Sequence, residues 1–147
     1  MKKITILLSM LLMCALSANA QNYEWAVGFR GGVRTSGVTV RHNLSAFNAW
    51  EGSFSGSYDR GYHFTGYYDF MTPIIGEGFT FYYGPGAHLG LGSDYFSLGI
   101  DAIVGLEYQM PSVPIAFSVD YRPSLNIVEK MDFFGDIDFG FGVKYCF

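Results

Sequence analysis

Three histidines, His42, His63 and His88, lie in a chain that also supplies serines, aspartates and glutamates, the residue types from which hydrolytic sites are built. A serine hydrolase needs a nucleophile, a base within hydrogen-bond reach and a third group that orients the base. No such trio of recognisable spacing occurs, and the expectation is that the protein is not an enzyme. The histidines are too scattered to share a metal, and one cysteine outside the leader cannot build a familiar zinc site. Neither metal nor cofactor is expected. Gly84-Pro85-Gly86 lacks the G-K-[ST] and following helix of a phosphate loop and reads instead as inward glycines with a strand kink. Asn43-Leu44-Ser45 matches a glycosylation sequon, a pattern short enough to arise by chance.

A stronger chemical pattern is a register of charges. Glu24, Glu51, Asp69, Asp101, Glu107, Asp120 and Asp138 each alternate with apolar neighbours, and so do Arg30, Arg41, Arg122 and Lys144. Successive side chains of a strand point to opposite faces, so these acids and bases share one face of their strands. His63 and His88 fall on that face; His42 falls on the apolar one. An isolated ion away from water is very costly, and the expected outcome is a network of mutual ion pairs.

Eight alternating segments must position these groups. They run near Tyr23 to Gly31, Thr35 to Leu44, Ala49 to Tyr58, Tyr62 to Phe70, Phe79 to Leu91, Phe96 to Gln109, Ile115 to Ile127 and Ile137 to Phe147. The last is the clearest: Ile137, Phe139, Phe141, Val143, Tyr145 and Phe147 form an apolar stripe opposite Asp138, Gly140, Gly142, Lys144 and Cys146. Turn residues punctuate the series at Gly31-Gly32, Ser45 to Asn48, Asp59-Arg60-Gly61, Pro73 to Gly78, Gly92-Ser93-Asp94, Pro111 to Pro114 and Glu129 to Gly135. An even number of short antiparallel strands in a meander predicts an all-β, eight-stranded, up-and-down transmembrane β-barrel.

Volume decides which face is outside. A soluble lipocalin-like barrel would turn the apolar face inward around a ligand, but eight strands enclose only just enough room for side chains. Here one face carries the Trp, Phe, Tyr, Leu and Ile, and the other carries Gly28, Gly84, Gly86, Gly99, Gly105, Gly140 and Gly142 with the ions. The small, charged face is predicted to fill the lumen, and the rings to meet lipid and its aromatic girdles.

Residues 1–20 have the form of a cleaved signal peptide: Lys2 and Lys3, an apolar stretch from Ile4, and Ala18-Asn19-Ala20 before Gln21. The stretch is shorter than the roughly 20 residues of a spanning helix. Residues 21–147 then form a single barrel domain. Loss of Lys2 and Lys3 takes the 9 basic residues to 7 against 13 acidic ones, a net charge of −6. That balance, without a basic cluster, argues against a nucleic-acid partner. Only Cys146 would remain, so no internal disulfide can form.

The leader, the eight alternating segments and the terminal Phe147 resemble the small outer-membrane β-barrel proteins of Gram-negative bacteria, including the opacity-type barrels and the transmembrane domain of outer membrane protein A. Y-G-P-G-A-H from Tyr83, G-L-E-Y from Gly105 and P-I-A-F-S-V-D-Y-R-P from Pro114 look like a short, mostly uncharacterised group of such barrels. The resemblance implies an outer-membrane location, lipid as surroundings, and an assembly signal at Val143, Tyr145 and Phe147 read by the barrel-assembly machinery. It supplies no agreed activity. The chain departs from the larger members in having no peptidoglycan-binding domain after the barrel and turns too short for an obvious adhesin. The expected role is structural or interactive, with a filled lumen; a barrel that binds or moves a small solute stands second, and a lipid-modifying barrel enzyme third.

Overall fold

Period-two alternation with turn chemistry every ten residues or so leaves the chain little choice but antiparallel pairing of sequential strands. The computed structural model describes residues 23–58, 61–74, 76–128 and 136–147. The expected leader, the Asp59-Arg60 turn residues and the Glu129 to Gly135 connection lie outside them. The described strands are β1 (Trp25–Gly32), β2 (Thr35–Asn43), β3 (Asn48–Ser57), β4 (Gly61–Pro73), β5 (Phe79–Gly92), β6 (Tyr95–Gln109), β7 (Ile115–Asn126) and β8 (Asp136–Cys146). Each pairs antiparallel with the next, and β8 returns to β1, giving a closed barrel with no helix among the described residues.

Closure runs over seven cross-strand pairs, from Ala26 opposite Cys146 to Gly32 opposite Gly140. Trp25 N–H donates to the Phe147 carbonyl at 3.0 Å, and Phe147 N–H donates to the Trp25 carbonyl at 2.8 Å. The last residue is therefore locked into the seam by its backbone. A closed sheet leaves no edge of unpaired peptide groups.

Two prolines sit inside strands, where a missing N–H interrupts the ladder. Between β4 and β5 the pairing passes from Tyr67 opposite Gly86 to Phe70 opposite Tyr83, skipping the positions around Pro85. Between β6 and β7 it passes from Asp101 opposite Ser124 to Val104 opposite Tyr121, skipping those around Pro123. On either side of each gap the register is the same. The expected kink at Gly84-Pro85-Gly86 is thus a local loss of pairing rather than a bulge.

The first expected strand is corrected at its start. Tyr23 and Glu24 precede β1 because the chain bends at Glu24; the Asn43 side-chain amide donates to the Tyr23 carbonyl at 3.0 Å and the Asn43 N–H to the Glu24 carbonyl at 2.8 Å. This bend takes both off the alternation: Tyr23, expected on the outer face, is half-buried, and Glu24, expected inward, is exposed.

Burial follows the inverted pattern from β1 onward. Phe29 is 73% exposed whereas Arg41 is 0% exposed. Trp50, Phe64, Ile100, Leu106, Val119, Phe139 and Phe141 all face out, while apolar burial is confined to small groups such as Tyr67, Met71, Tyr82 and Ile103 with Ala49. Glycines make room for the inner side chains: a Cβ on Gly140 would collide with the Arg30 guanidinium, and one on Gly105 with the Tyr82 ring.

Candidate functional site

The inward charges come together as one ladder along the barrel axis. At the end where β1 begins and β8 finishes, Tyr23 Oη donates to Glu107 Oε1 at 2.6 Å. Burial, reinforced by the Glu107 carboxylate, pushes the Tyr23 phenol above its ordinary value, which keeps it a donor. Glu107 Oε2 accepts from Arg41 Nη1 at 2.7 Å and Lys144 Nζ at 3.0 Å. Glu51 accepts from the same two cations, Arg41 Nε at 3.0 Å and Lys144 Nζ at 3.1 Å, and through its other oxygen from Arg122 Nη2 at 2.7 Å.

The ladder continues toward the opposite end. Arg122 Nε donates to Asp120 Oδ1 at 3.1 Å, and that oxygen also accepts from Arg30 Nη2 at 2.6 Å. Arg30 Nη1 reaches Asp138 Oδ2 at 2.8 Å. Asp138 finishes the series by accepting from Thr35 Oγ1 at 2.7 Å and from the Arg34 N–H at 2.9 Å, which pins the β1–β2 turn. Register explains one of these meetings, since Arg41 is the cross-strand partner of Glu51. Others, such as Arg122 with Glu51, reach across the lumen from β7 to β3 and hold opposite walls together.

Of the eleven charged residues assigned inward from the sequence, nine lie in or against this ladder. Asp69 is fully buried with Oδ2 3.2 Å from Arg41 Nη2. Asp101 belongs to a separate group, 2.7 Å from His88 Nδ1, while His88 Nε2 is 2.8 Å from Asn126 Oδ1. Glu24 takes no part, for the reason given above. Aromatic rings complete the packing: the Arg41 guanidinium lies 4.5 Å from the Tyr82 ring centroid and that of Arg122 lies 4.9 Å from Tyr67. Alternation puts Tyr67 and Tyr82 on the inner face, but their use as platforms for cations depends on cross-barrel distances that no local pattern carries. The same holds for Thr35 and Asn126, whereas alternation places Tyr23 on the outer face and its hydroxyl is found inside, on Glu107.

The histidines divide three ways. His42 stacks on Trp25 on the outer face, with ring centroids 4.2 Å apart. His63 lies 6.0 Å from His88, ring to ring. His88 has both nitrogens engaged, Nδ1 by Asp101 and Nε2 by Asn126. Among the described residues no group of three or more His, Cys, Asp or Glu is arranged to hold a metal ion. Val143, Tyr145 and Phe147, the expected assembly signal, occupy the outer face of β8 and the residue after it; the Tyr145 and Phe147 rings are 6.0 Å apart.

Above the ladder, at the end away from β1's start, the lumen opens into a polar cavity of about 110 Å³ bounded by Arg30, Thr35, Ser55, His63, His88 and Asp138 among others. At the other end Tyr23, Arg41, Glu107 and Lys144 fill the cross-section.

The sequence matches no family model and no curated protein. The fold is similar to that of the N-terminal β-barrel domain of Pseudomonas aeruginosa OprF, seen in a crystal structure. The two align with a TM-score of 0.62 over 86% of this chain and 98% of that one, at 16% identity. At that identity the likeness speaks for the barrel architecture.

Proposed function

We propose that this chain is an integral outer-membrane β-barrel with a structural or interaction role, whose lumen is closed by its own ion pairs. The observation that carries the reading is the inversion of polarity. A barrel whose Phe, Trp, Leu and Ile stand on the outside while Arg41, Glu51, Asp69 and Lys144 are sealed within is built for a hydrocarbon solvent. Strands of 8 to 15 residues fit a tilted span of a bilayer. The OprF likeness supports the same reading. The partners proposed are outer-membrane lipid and, during biogenesis, the barrel-assembly machinery acting on Val143, Tyr145 and Phe147. No nucleic-acid, cofactor or catalytic role is proposed; the lipid-modifying alternative would need an activity on lipid that is lost when His42 or His63 becomes Ala.

Three measurements test this. After expression in a Gram-negative host the protein fractionates with the outer membrane and migrates faster on SDS gels before boiling than after it. Reconstituted in planar bilayers it gives no stable open channel, because ions would have to displace Arg41, Lys144 and their carboxylates from each other. A steady conductance at neutral pH would replace the closed-lumen reading with the transport alternative.

A further inference from the structure

The cavity above the ladder has two unlike walls. On one, the charges are already committed: Arg30 to Asp120 and Asp138, Arg122 to Glu51 and Asp120, and His88 to Asp101. A bare ion entering would compete with pairs of 2.6 to 3.1 Å. The other wall is made by β2, β3 and β4, where register sets Thr35 beside Ser57, Gly37 beside Ser55, and Ser53 beside Thr65. Ser53, Ser55, Ser57 and Thr65 line the cavity, and among the described residues none of their hydroxyls is tied into a side-chain hydrogen bond. Just below, Thr39, the cross-strand neighbour of Ser53, is buried with an unpartnered hydroxyl.

We infer that this cup is a binding site for a small, neutral, hydroxyl-rich solute, a polyol or a single sugar ring. Hydroxyls both donate and accept, so a row of them at alternate strand positions matches a ligand whose own hydroxyls do the same. A cavity of about 110 Å³ has room for roughly four waters at their liquid volume of about 30 Å³ each. That space suits roughly six non-hydrogen atoms, a three-carbon polyol or the hydroxyl-bearing edge of a sugar ring whose remainder stands in the open mouth, and the ligand's hydroxyls would replace those waters without stranding a polar group. Gly37 keeps the wall open, since a side chain there would strike the Phe54 carbonyl. The site requires only the barrel fold, so its test reads independently of membrane location.

The experiment uses the purified, folded protein in a zwitterionic detergent without a sugar headgroup, titrated with glucose and, separately, with sodium sulfate while backbone amide shifts are followed. Glucose produces saturable shifts centred on Ser53, Ser55, His63 and Thr65 with a dissociation constant in the millimolar range, and sulfate produces none there. Ser55→Phe, which fills the cup, abolishes the glucose response. The milder S53A/S55A pair, which keeps the fold if Ser55→Phe does not, weakens it about tenfold, the effect of losing one or two hydrogen bonds. No saturable glucose response, a sulfate response at the same amides, or undiminished glucose binding by the double variant would each overturn the assignment.

Discussion

Glu51 is the residue on which most of the lumen converges, since its two oxygens hold Arg41, Lys144 and Arg122 from three other strands. Removing one partner of a buried ion pair strands the others, a loss of about 3–5 kcal/mol where water cannot enter. Glu51→Ala and Arg122→Ala should each lower the urea midpoint of the folded barrel by a margin of that size. Glu77→Ala, on an exposed turn, should stay within about 0.5 kcal/mol of the parent. The Glu51→Ala/Arg122→Ala double variant should cost clearly less than the two single losses together, because each single change already breaks their shared contact. Equal midpoints for Glu51→Ala and Glu77→Ala would mean that the ladder contributes nothing. The alternation of residue types placed both groups on the inner face, and the desolvation cost of a lone ion required partners. Which partners depends on barrel tilt and reach, properties of all eight strands together. Tyr23 shows the limit: it lies at the head of an alternating stretch, yet its hydroxyl is drawn to Glu107, 84 residues away.

At the scale of strands, the seam between β1 and β8 tests closure. Gly28 faces Lys144 across it, and a side chain at Gly28 would strike the Val143 carbonyl with its Cβ 2.7 Å from Lys144 Cα. Backbone cannot yield there without opening the ladder. Gly28→Val should destabilise by roughly 1–3 kcal/mol, as overpacking does elsewhere, and should reduce the fraction that migrates fast on unboiled gels. Gly52→Ala is the matched control: it is exposed, with nothing within 4 Å of the added methyl. It should be neutral or stabilise by up to about 1 kcal/mol. If the two variants behave alike, the seam is not tightly closed. Strand number and order were legible because eight alternating segments are separated by seven clusters of turn residues. The interruptions were only half legible: Pro85 and Pro123 announce a missing N–H, but only the paired neighbours reveal that register survives on both sides.

Taken as one object, the barrel has its greasy side chains where a water-soluble protein has its charges, and this makes solvent identity a measurable property. Val119 lies mid-height on the outside, flanked across the ladders by Leu106 and Phe141, all exposed. Val33 is also exposed and apolar but sits on the β1–β2 turn. If the exterior meets hydrocarbon, Val119→Arg must bring a guanidinium to the depth where insertion costs about 2–4 kcal/mol, whereas Val33→Arg near an interface costs about 0–1 kcal/mol. In water the order would differ, since an arginine on either exposed position would be near neutral and would relieve an apolar patch. Urea unfolding from phospholipid vesicles should therefore separate the two variants by at least about 1 kcal/mol, with Val119→Arg the weaker. In detergent micelles, which deform around a charge, the gap should narrow. Indistinguishable midpoints in vesicles would remove hydrocarbon as the solvent of this surface, and the inverted distribution of rings and ions would then need another partner to cover it.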